Sequence, residues 1–309
     1  MMNNDEILVT VKCTVFNHEP YLRQCLDGFV MQRTNFRFKV LVHDDASTDK
    51  SSLIIKEYSE KYPDLIIPIF EEYNQYKIGG FFRIIEIMNQ YIQGKYIAIC
   101  EGDDFWIDEY KLQKQVDYME KHPNCGLVYT RMQQLIQHTG QISLGWAHQA
   151  GFEDIIASDN PISTPTTLIR RSLYDEYYIK KIASTAWRMA DYPLWIYLAH
   201  QSEIKCLDDI TTVYRCLSNS ASHSPNVKTM MSFIFSAYNI SSFFAIYFDR
   251  KDLMPRINRH YQNSLFKLSK DFNINISRDI FKFGVRTNGL SVRFMLKCIY
   301  YFFFNRELF

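Results

Sequence analysis

The stretch Gly94-Lys95-Tyr96-Ile97-Ala98-Ile99-Cys100-Glu101-Gly102-Asp103-Asp104-Phe105-Trp106 constrains the fold more than any other part of the chain. Tyr96 to Cys100 is a short uncharged run of strand-forming residues bounded by Gly94 and Gly102, which reads as a central strand buried on both faces. Three acids, Glu101, Asp103 and Asp104, stand at its carboxyl end, where open α/β sheets bind their ligands. A cation would relieve their mutual repulsion, and carboxylate oxygens suit Mg²⁺ or Mn²⁺. Gly-Asp-Asp is also ordinary turn chemistry. The apolar strand before it and the anchoring aromatics Phe105 and Trp106 after it favour the metal reading.

The rest of the first half alternates strand and helix. Ile7 to Phe16 is β-branched-rich and interrupted by Lys12; Pro20 suits a first helical turn, and Tyr21, Leu22, Cys25, Leu26 and Phe29 recur at helical spacing. Phe36 to Val42 predicts a second strand, Ser51 to Tyr62 a helix, Leu65 to Phe70 a third strand, Tyr73 to Gly80 a polar loop, and Phe81 to Tyr91 a helix. This β-α-β-α order is that of a doubly wound sheet. Downstream, Lys111 to Met119 reads as a helix, Cys125 to Gln134 and Gln141 to Trp146 as a strand pair, and Ser172 as a helix cap. Asp191 stands just outside a helix whose first turn holds Pro193.

At 309 residues and 47% hydrophobic, the chain is long enough for one large α/β domain and an appendage. A formal net charge of +1 gives no electrostatic case for a nucleic-acid partner. The seven cysteines are scattered without a C-x-x-C pair, so neither a disulfide framework nor a zinc site is signalled. The N-terminus carries Asp5 and Glu6 where a secretory signal would be basic, and no apolar run of membrane-spanning length is expected. These features place the protein in the cytoplasm, with a peripheral contact at the inner membrane face as an extension of that expectation.

Four segments stand in a telling order: Thr14-Val15-Phe16-Asn17-His18-Glu19, His43-Asp44-Asp45-Ala46-Ser47-Thr48-Asp49, Glu101-Gly102-Asp103-Asp104-Phe105-Trp106 and Ala190-Asp191-Tyr192-Pro193-Leu194-Trp195. Together they resemble family 2 glycosyltransferases of the GT-A fold, most closely the bacterial branch that builds capsule, O-antigen and other surface polysaccharides. The resemblance covers roughly the first two thirds of the chain, as a domain of this size does. It implies an α/β fold, Rossmann-like, with a mostly parallel central sheet flanked by helices. The catalytic domain would span residues 1–224, with a nucleotide-sugar half at 1–106 and an acceptor half at 107–224, followed by a helical C-terminal region at 225–309.

By that resemblance, Thr14, Val15, Phe16, Asn17 and Glu19 line the nucleotide pocket, Asp45 holds the uracil, Asp103 approaches the ribose and Asp104 binds Mn²⁺ or Mg²⁺. Asp191 matches the general base of an inverting transfer from a nucleotide sugar, UDP-linked by preference, to a glycan or lipid-linked acceptor. For Asp45 the competing reading is a helix cap, with Asp49 the better cap candidate. For Asp191 it is an acid favoured by the helix dipole. Arg215 and His223 match a segment closing over the diphosphate, and Trp195 is either an acceptor contact or packing. Two departures stand out: Thr14 replaces the proline of many relatives, and Cys216-Leu217 follow Tyr214-Arg215 where a histidine is common.

From Arg278 to Phe309, Arg278, Lys282, Arg286, Arg293, Lys297 and Arg306 outnumber Asp279 and Glu307 by four charges, interleaved with aromatics at helical spacing. Such a set suits the headgroup boundary of a membrane, or else packing on the catalytic domain or a homodimer contact. Two rival functions are a non-catalytic nucleotide-sugar-binding protein and a sugar-1-phosphate nucleotidyltransferase. The latter needs a phosphate loop with Gly and Arg, neither of which occurs in Thr14 to Pro20.

Overall fold

The computed structural model describes residues 6–182, 184–217, 226–272 and 282–283. They fall into two compact units, the first of residues 6–151, 161–182, 184–185 and 197–217, the second of residues 152–160, 186–196, 226–272 and 282–283.

The first unit begins with the expected alternation: β1 (Ile7–Val15), α1 (Glu19–Val30), β2 (Arg37–Asp44), α2 (Ser51–Lys61), β3 (Ile66–Phe70), α3 (Gln75–Asn89) and β4 (Tyr96–Ile99). Strands β3, β2, β1 and β4 pair in that order and all in parallel. Val9, Val11 and Cys13 alternate along β1 and are fully buried, as are Leu22, Cys25, Leu26 and Phe29 along one stripe of α1. Period two on the strand and period 3.6 on the helix bring these two sets together in one core. Each strand therefore ends on the same edge, and the loops after β1, β2 and β4 are neighbours there.

Beyond β4 the sheet changes character. β5 (Phe105–Trp106), β6 (Cys125–Ile136), β7 (Gln141–Leu144), β8 (Leu168–Arg170) and β9 (Glu203–Cys216) complete the order β3-β2-β1-β4-β8-β6-β9-β5, with β7 on β6. Here β4 with β8, β8 with β6, β5 with β9 and β7 with β6 are antiparallel, and only β6 with β9 is parallel. The sheet is thus mixed, wholly parallel in its first half and mostly antiparallel in its second, where the β6–β7 hairpin and the short return strand β8 replace helical crossovers. Tyr96 to Ile99 is the central strand that its apolar run predicts.

Two local expectations shift. Helix α3 starts at Gln75 inside the stretch that reads as a polar loop: the Asn74 side chain accepts from the Lys77 N–H at 2.8 Å, and a kink falls at Gly80, whose φ of 66° glycine tolerates. Helix α6 (Arg171–Ile179) takes Ser172 into its first turn, with Arg170 at the cap position. Among the remaining helices, α4 (Lys111–Lys121) lies between β5 and β6.

The second unit contains α5 (Phe152–Ala157), α8 (Val227–Tyr247) and α9 (Met254–Asp271), and Asp191 opens α7 (Asp191–Gln201). Its centre holds a hydroxyl cluster: Ser241 Oγ lies 2.9 Å from Tyr192 Oη and 3.0 Å from Tyr261 Oη, while Tyr192 donates to the Ile155 carbonyl at 2.8 Å. The helical region thus takes in residues 152–160 and 186–196 besides those after 225. Contrary to the expectation from apolar runs, α8 is 21 residues long and contains an 18-residue window of mean hydropathy 1.3, which meets the length and composition of a membrane span. Scattered Ser, Thr and Asn residues break up the run and hide it from a search for unbroken apolar sequence. Of the basic aromatic tail only Lys282 and Phe283 are described, Phe283 packing on Tyr238 with ring centroids 4.6 Å apart.

Candidate active site

The edge where β1, β2 and β4 end is tied together by main chain. The Thr14 carbonyl accepts from the Gly102 N–H at 3.0 Å, and the Val15 carbonyl accepts from the Asp45 N–H at 2.9 Å. Gly102 is required by this closeness, since a Cβ there would lie 2.8 Å from His18 Nδ1 and 2.9 Å from Val15 Cγ2. The loops after β1 and β2 are then joined by side chains. Asn17, at a left-handed φ of 56°, accepts from the Thr48 N–H at 2.8 Å, and Ser47 Oγ accepts from the Asn17 N–H at 2.9 Å. Asp49 accepts from the N–H groups of Glu19 and Ser51, both at 2.9 Å, while Glu19 accepts from the Lys50 N–H at 3.0 Å.

Within this frame the expected nucleotide residues have distinct situations. Val15 is buried, Thr14 half-buried, and the Phe16 ring is 40% exposed. Asp45 is buried, and its two oxygens accept from the Gln75 and Tyr76 N–H groups at 2.6 and 3.1 Å. It therefore satisfies the amino end of α3, a capping role exerted on a different helix from the one its sequence neighbourhood points to. Asp49 stands one residue before the cap position of α2, which Lys50 occupies, and its carboxylate reaches the Ser51 N–H from there.

The acidic turn is held from below by Arg215 at the end of β9. Its backbone N–H donates to Asp104 Oδ1 at 2.7 Å, and its Nε donates to the Asp103 carbonyl at 2.6 Å. The remaining guanidinium nitrogens bond Gln24 at 2.8 Å and Gln137, and the plane lies over Tyr21 and Phe105, 4.7 and 5.2 Å from the ring centroids. So engaged and 5% exposed, Arg215 acts as a positioning residue for the turn. Nothing in the sequence marks Gln24, Gln137 and Tyr21 as its partners; the link from Asp104 to Arg215 spans 111 positions.

Burial raises the Asp104 carboxyl well above the usual carboxylate range, and Asp103 and Glu101 push it further the same way. Nearby, the His18 imidazole is also pushed towards its neutral form by burial, against the pull of Asp103, Asp49 and Asp44, and its Nδ1 lacks a partner among the described residues. Among the described residues no three His, Cys, Asp or Glu side chains converge as a ready-made cage. A divalent ion that takes one or two carboxylates and fills its other positions with substrate phosphate and water needs no such cage. Asp104, a hard oxygen donor buried in an unfavourable negative field, fits such an ion.

Asp191 is the first residue of α7 and partly exposed, with Pro193 in the first turn. Trp195 is fully buried, which is the situation of a packing residue. His223 lies outside the described residues.

Parallel strands with interleaved helices, a mixed second half and an acid-bearing turn at the carboxyl edge define an α/β domain of the GT-A type. The chain belongs to glycosyltransferase family 2, whose model, described as Glycosyl transferase family 2, matches residues 10–177. An uncharacterised protein of Mycobacterium tuberculosis is 33% identical over 214 residues, 68% of this chain and 59% of that protein. The chain therefore spans less than two thirds of this relative. Among solved structures, S. aureus TarS 1–349 in complex with UDP-GlcNAc superposes with a TM-score of 0.58 at 14% identity, over 96% of this chain and 91% of that one. The mannosyltransferase PcManGT of Pyrobaculum calidifontis, in complex with GDP-Man and Mn²⁺, gives a TM-score of 0.53 at 13% identity, over 97% and 88%. At these identities the two structures speak for the fold.

Proposed function

We propose that the protein is an inverting glycosyltransferase that moves a sugar from a nucleotide sugar, UDP-linked by preference, to a hydroxyl of a glycan or lipid-linked acceptor in the synthesis of a capsule, O-antigen or exopolysaccharide. The observation that carries this reading is the buried, repelled Asp104 carboxylate at the end of the central strand, locked by Arg215. Family membership and the nucleotide sugars bound by TarS and PcManGT support it.

In this reading Asp104 holds Mn²⁺ or Mg²⁺, which when bound offsets the charge of the diphosphate and makes it a better leaving group. Asp103 approaches the ribose, and Thr14, Val15, Phe16, Asn17, Glu19 and Asp45 surround the nucleoside. Asp191 accepts the proton of the acceptor hydroxyl while its oxygen attacks the anomeric carbon; the bond to the diphosphate oxygen breaks, and the configuration inverts. Arg215 keeps the acidic turn in place, and the basic C-terminal region contacts the membrane or a second copy of the chain.

The test is a screen of nucleotide sugars for transfer in the presence of Mn²⁺, repeated with Asp191→Asn. The variant is expected to bind donor normally while transfer falls by about 10²–10⁴. Equal loss of donor binding and transfer contradicts the base assignment.

A further inference from the structure

The acidic turn has an aromatic neighbour that the donor chemistry does not use. Trp146 and Tyr214 pack edge to face, with ring centroids 5.4 Å apart and planes at 78°. Trp146 is 41% exposed, whereas Trp106 and Trp195 are fully buried. An indole left this open to water in the first unit gives up apolar burial unless a ligand covers it.

Its place is set by strand register. Antiparallel pairing of Phe105 with Val213 carries Asp104 to the level of Tyr214, and the next residue, Arg215, bonds Asp104 through its N–H. Side chains alternate along β9, so Tyr214 and Cys216 share one face and Arg215 occupies the other. Gln134 stands opposite Tyr214 in register and donates to Cys216 Sγ at 2.9 Å, placing a polar amide beside the rings. The approach of Trp146 is built in as well: the Gly145 N–H donates to the Met132 carbonyl at 2.9 Å, and a Cβ at 145 would lie 2.8 Å from the Met132 side chain.

We propose that Trp146, held by Tyr214, is the platform on which a pyranose ring of the acceptor stacks beside the acidic turn. The C–H face of a pyranose is apolar and its hydroxyl rim polar, which matches an open indole next to an amide. This inference rests on the glycosyl-transfer reading above and adds an acceptor subsite to it.

The test uses the full chain labelled with 5-fluorotryptophan, whose four tryptophans give separate ¹⁹F signals, that of Trp146 assigned by its loss in Trp146→Phe. UDP with Mg²⁺ is added first, then methyl glycosides of glucose, galactose, mannose, rhamnose, N-acetylglucosamine and N-acetylgalactosamine in turn. At least one glycoside is expected to shift the Trp146 signal saturably, with Trp106 and Trp195 unmoved. Trp146→Ala should weaken that glycoside about tenfold by saturation-transfer NMR and Trp146→Phe much less, with UDP affinity unchanged in both. If UDP binds and no glycoside moves the signal, or if a nucleotide sugar alone moves it as a glycoside should, the acceptor platform is wrong. If UDP itself does not bind, the glycosyl-transfer reading fails first and the platform with it.

Discussion

The Arg215 N–H donates to Asp104 Oδ1 at 2.7 Å, joining the end of strand β9 to the acidic turn after β4. That bond fixes one oxygen of the carboxylate. The same residue clamps Asp103 through its carbonyl, so one arginine sets the geometry of both acids.

Burying the Asp104 carboxyl beside two other acids comes at the expense of the fold. Its carboxyl is raised in the folded protein, so the folded state holds its proton to higher pH than the unfolded chain does. Stability of the metal-free protein accordingly falls as pH rises from the ordinary carboxylate range through the raised value. Asp104→Asn keeps the acceptor for the Arg215 N–H and removes the charge. The metal-free variant should melt about 2–4 °C higher than wild type at neutral pH, yet show no transfer. Differential scanning calorimetry in EDTA, paired with a transfer assay, reads both.

Arg215→Lys cannot serve Asp103, Gln24 and Gln137 together while lying flat against Tyr21 and Phe105. We expect Arg215→Lys and Arg215→Ala to lose about 2–4 kcal/mol of stability, with weakened Mn²⁺ affinity in both. Urea unfolding and metal titration of the surviving folded protein check this. A lysine variant with wild-type metal affinity would show that the clamp does not position the turn.

Asp45 caps α3 through two backbone N–H groups. Asp45→Ala should cost about 1–2 kcal/mol in urea unfolding. Asp45→Asn retains one acceptor and should lose less. UDP affinity measured on Asp45→Asn separates the two roles: a sharp fall with stability nearly kept would assign a nucleotide contact beyond capping.

Two lysines sit inside the first unit. Lys12 donates to Tyr174 Oη at 2.7 Å and to Asn89 at 3.1 Å, and Lys111 donates to Gln115 at 2.8 Å with its ammonium 4.2 Å from the Trp106 centroid. Burial lowers each to about 7. Between about pH 7 and the ordinary lysine value the unfolded chain binds more protons, so both lysines make stability rise with pH over that window. Lys12→Met leaves Tyr174 bonded to Asn89 at 3.0 Å and should be more stable at pH 7 while flattening the rise. Melting temperatures from pH 6.5 to pH 10 test it; a profile unchanged by Lys12→Met and Lys111→Met would contradict it.

What the chain discloses in advance depends on how local each feature is. The central strand, the acidic turn and the loops after β1 and β2 each lie within a dozen consecutive residues, so periodicity and turn chemistry reveal them. Arg215 was legible only as a motif, because its use depends on β9 pairing with β5 across more than a hundred positions. The start of α3 was obscured because Asp45, far away in sequence, supplies the cap that Gln75 and Tyr76 need. Lys12 reads as an interruption of a strand, and only the fold brings it Tyr174 and Asn89. The exposed Trp146 looks in the sequence like any hairpin-end aromatic until Gly145 lays it beside Tyr214.

The central claim is that Asp104 binds the cation that joins protein to nucleoside diphosphate. Isothermal titration of UDP into the metal-free full chain, with and without Mn²⁺, tests it most directly. UDP should bind at least about tenfold more tightly with Mn²⁺ to wild type, and that gain should vanish in Asp104→Asn. Equal affinity with and without Mn²⁺, or a gain that survives in Asp104→Asn, would contradict the account.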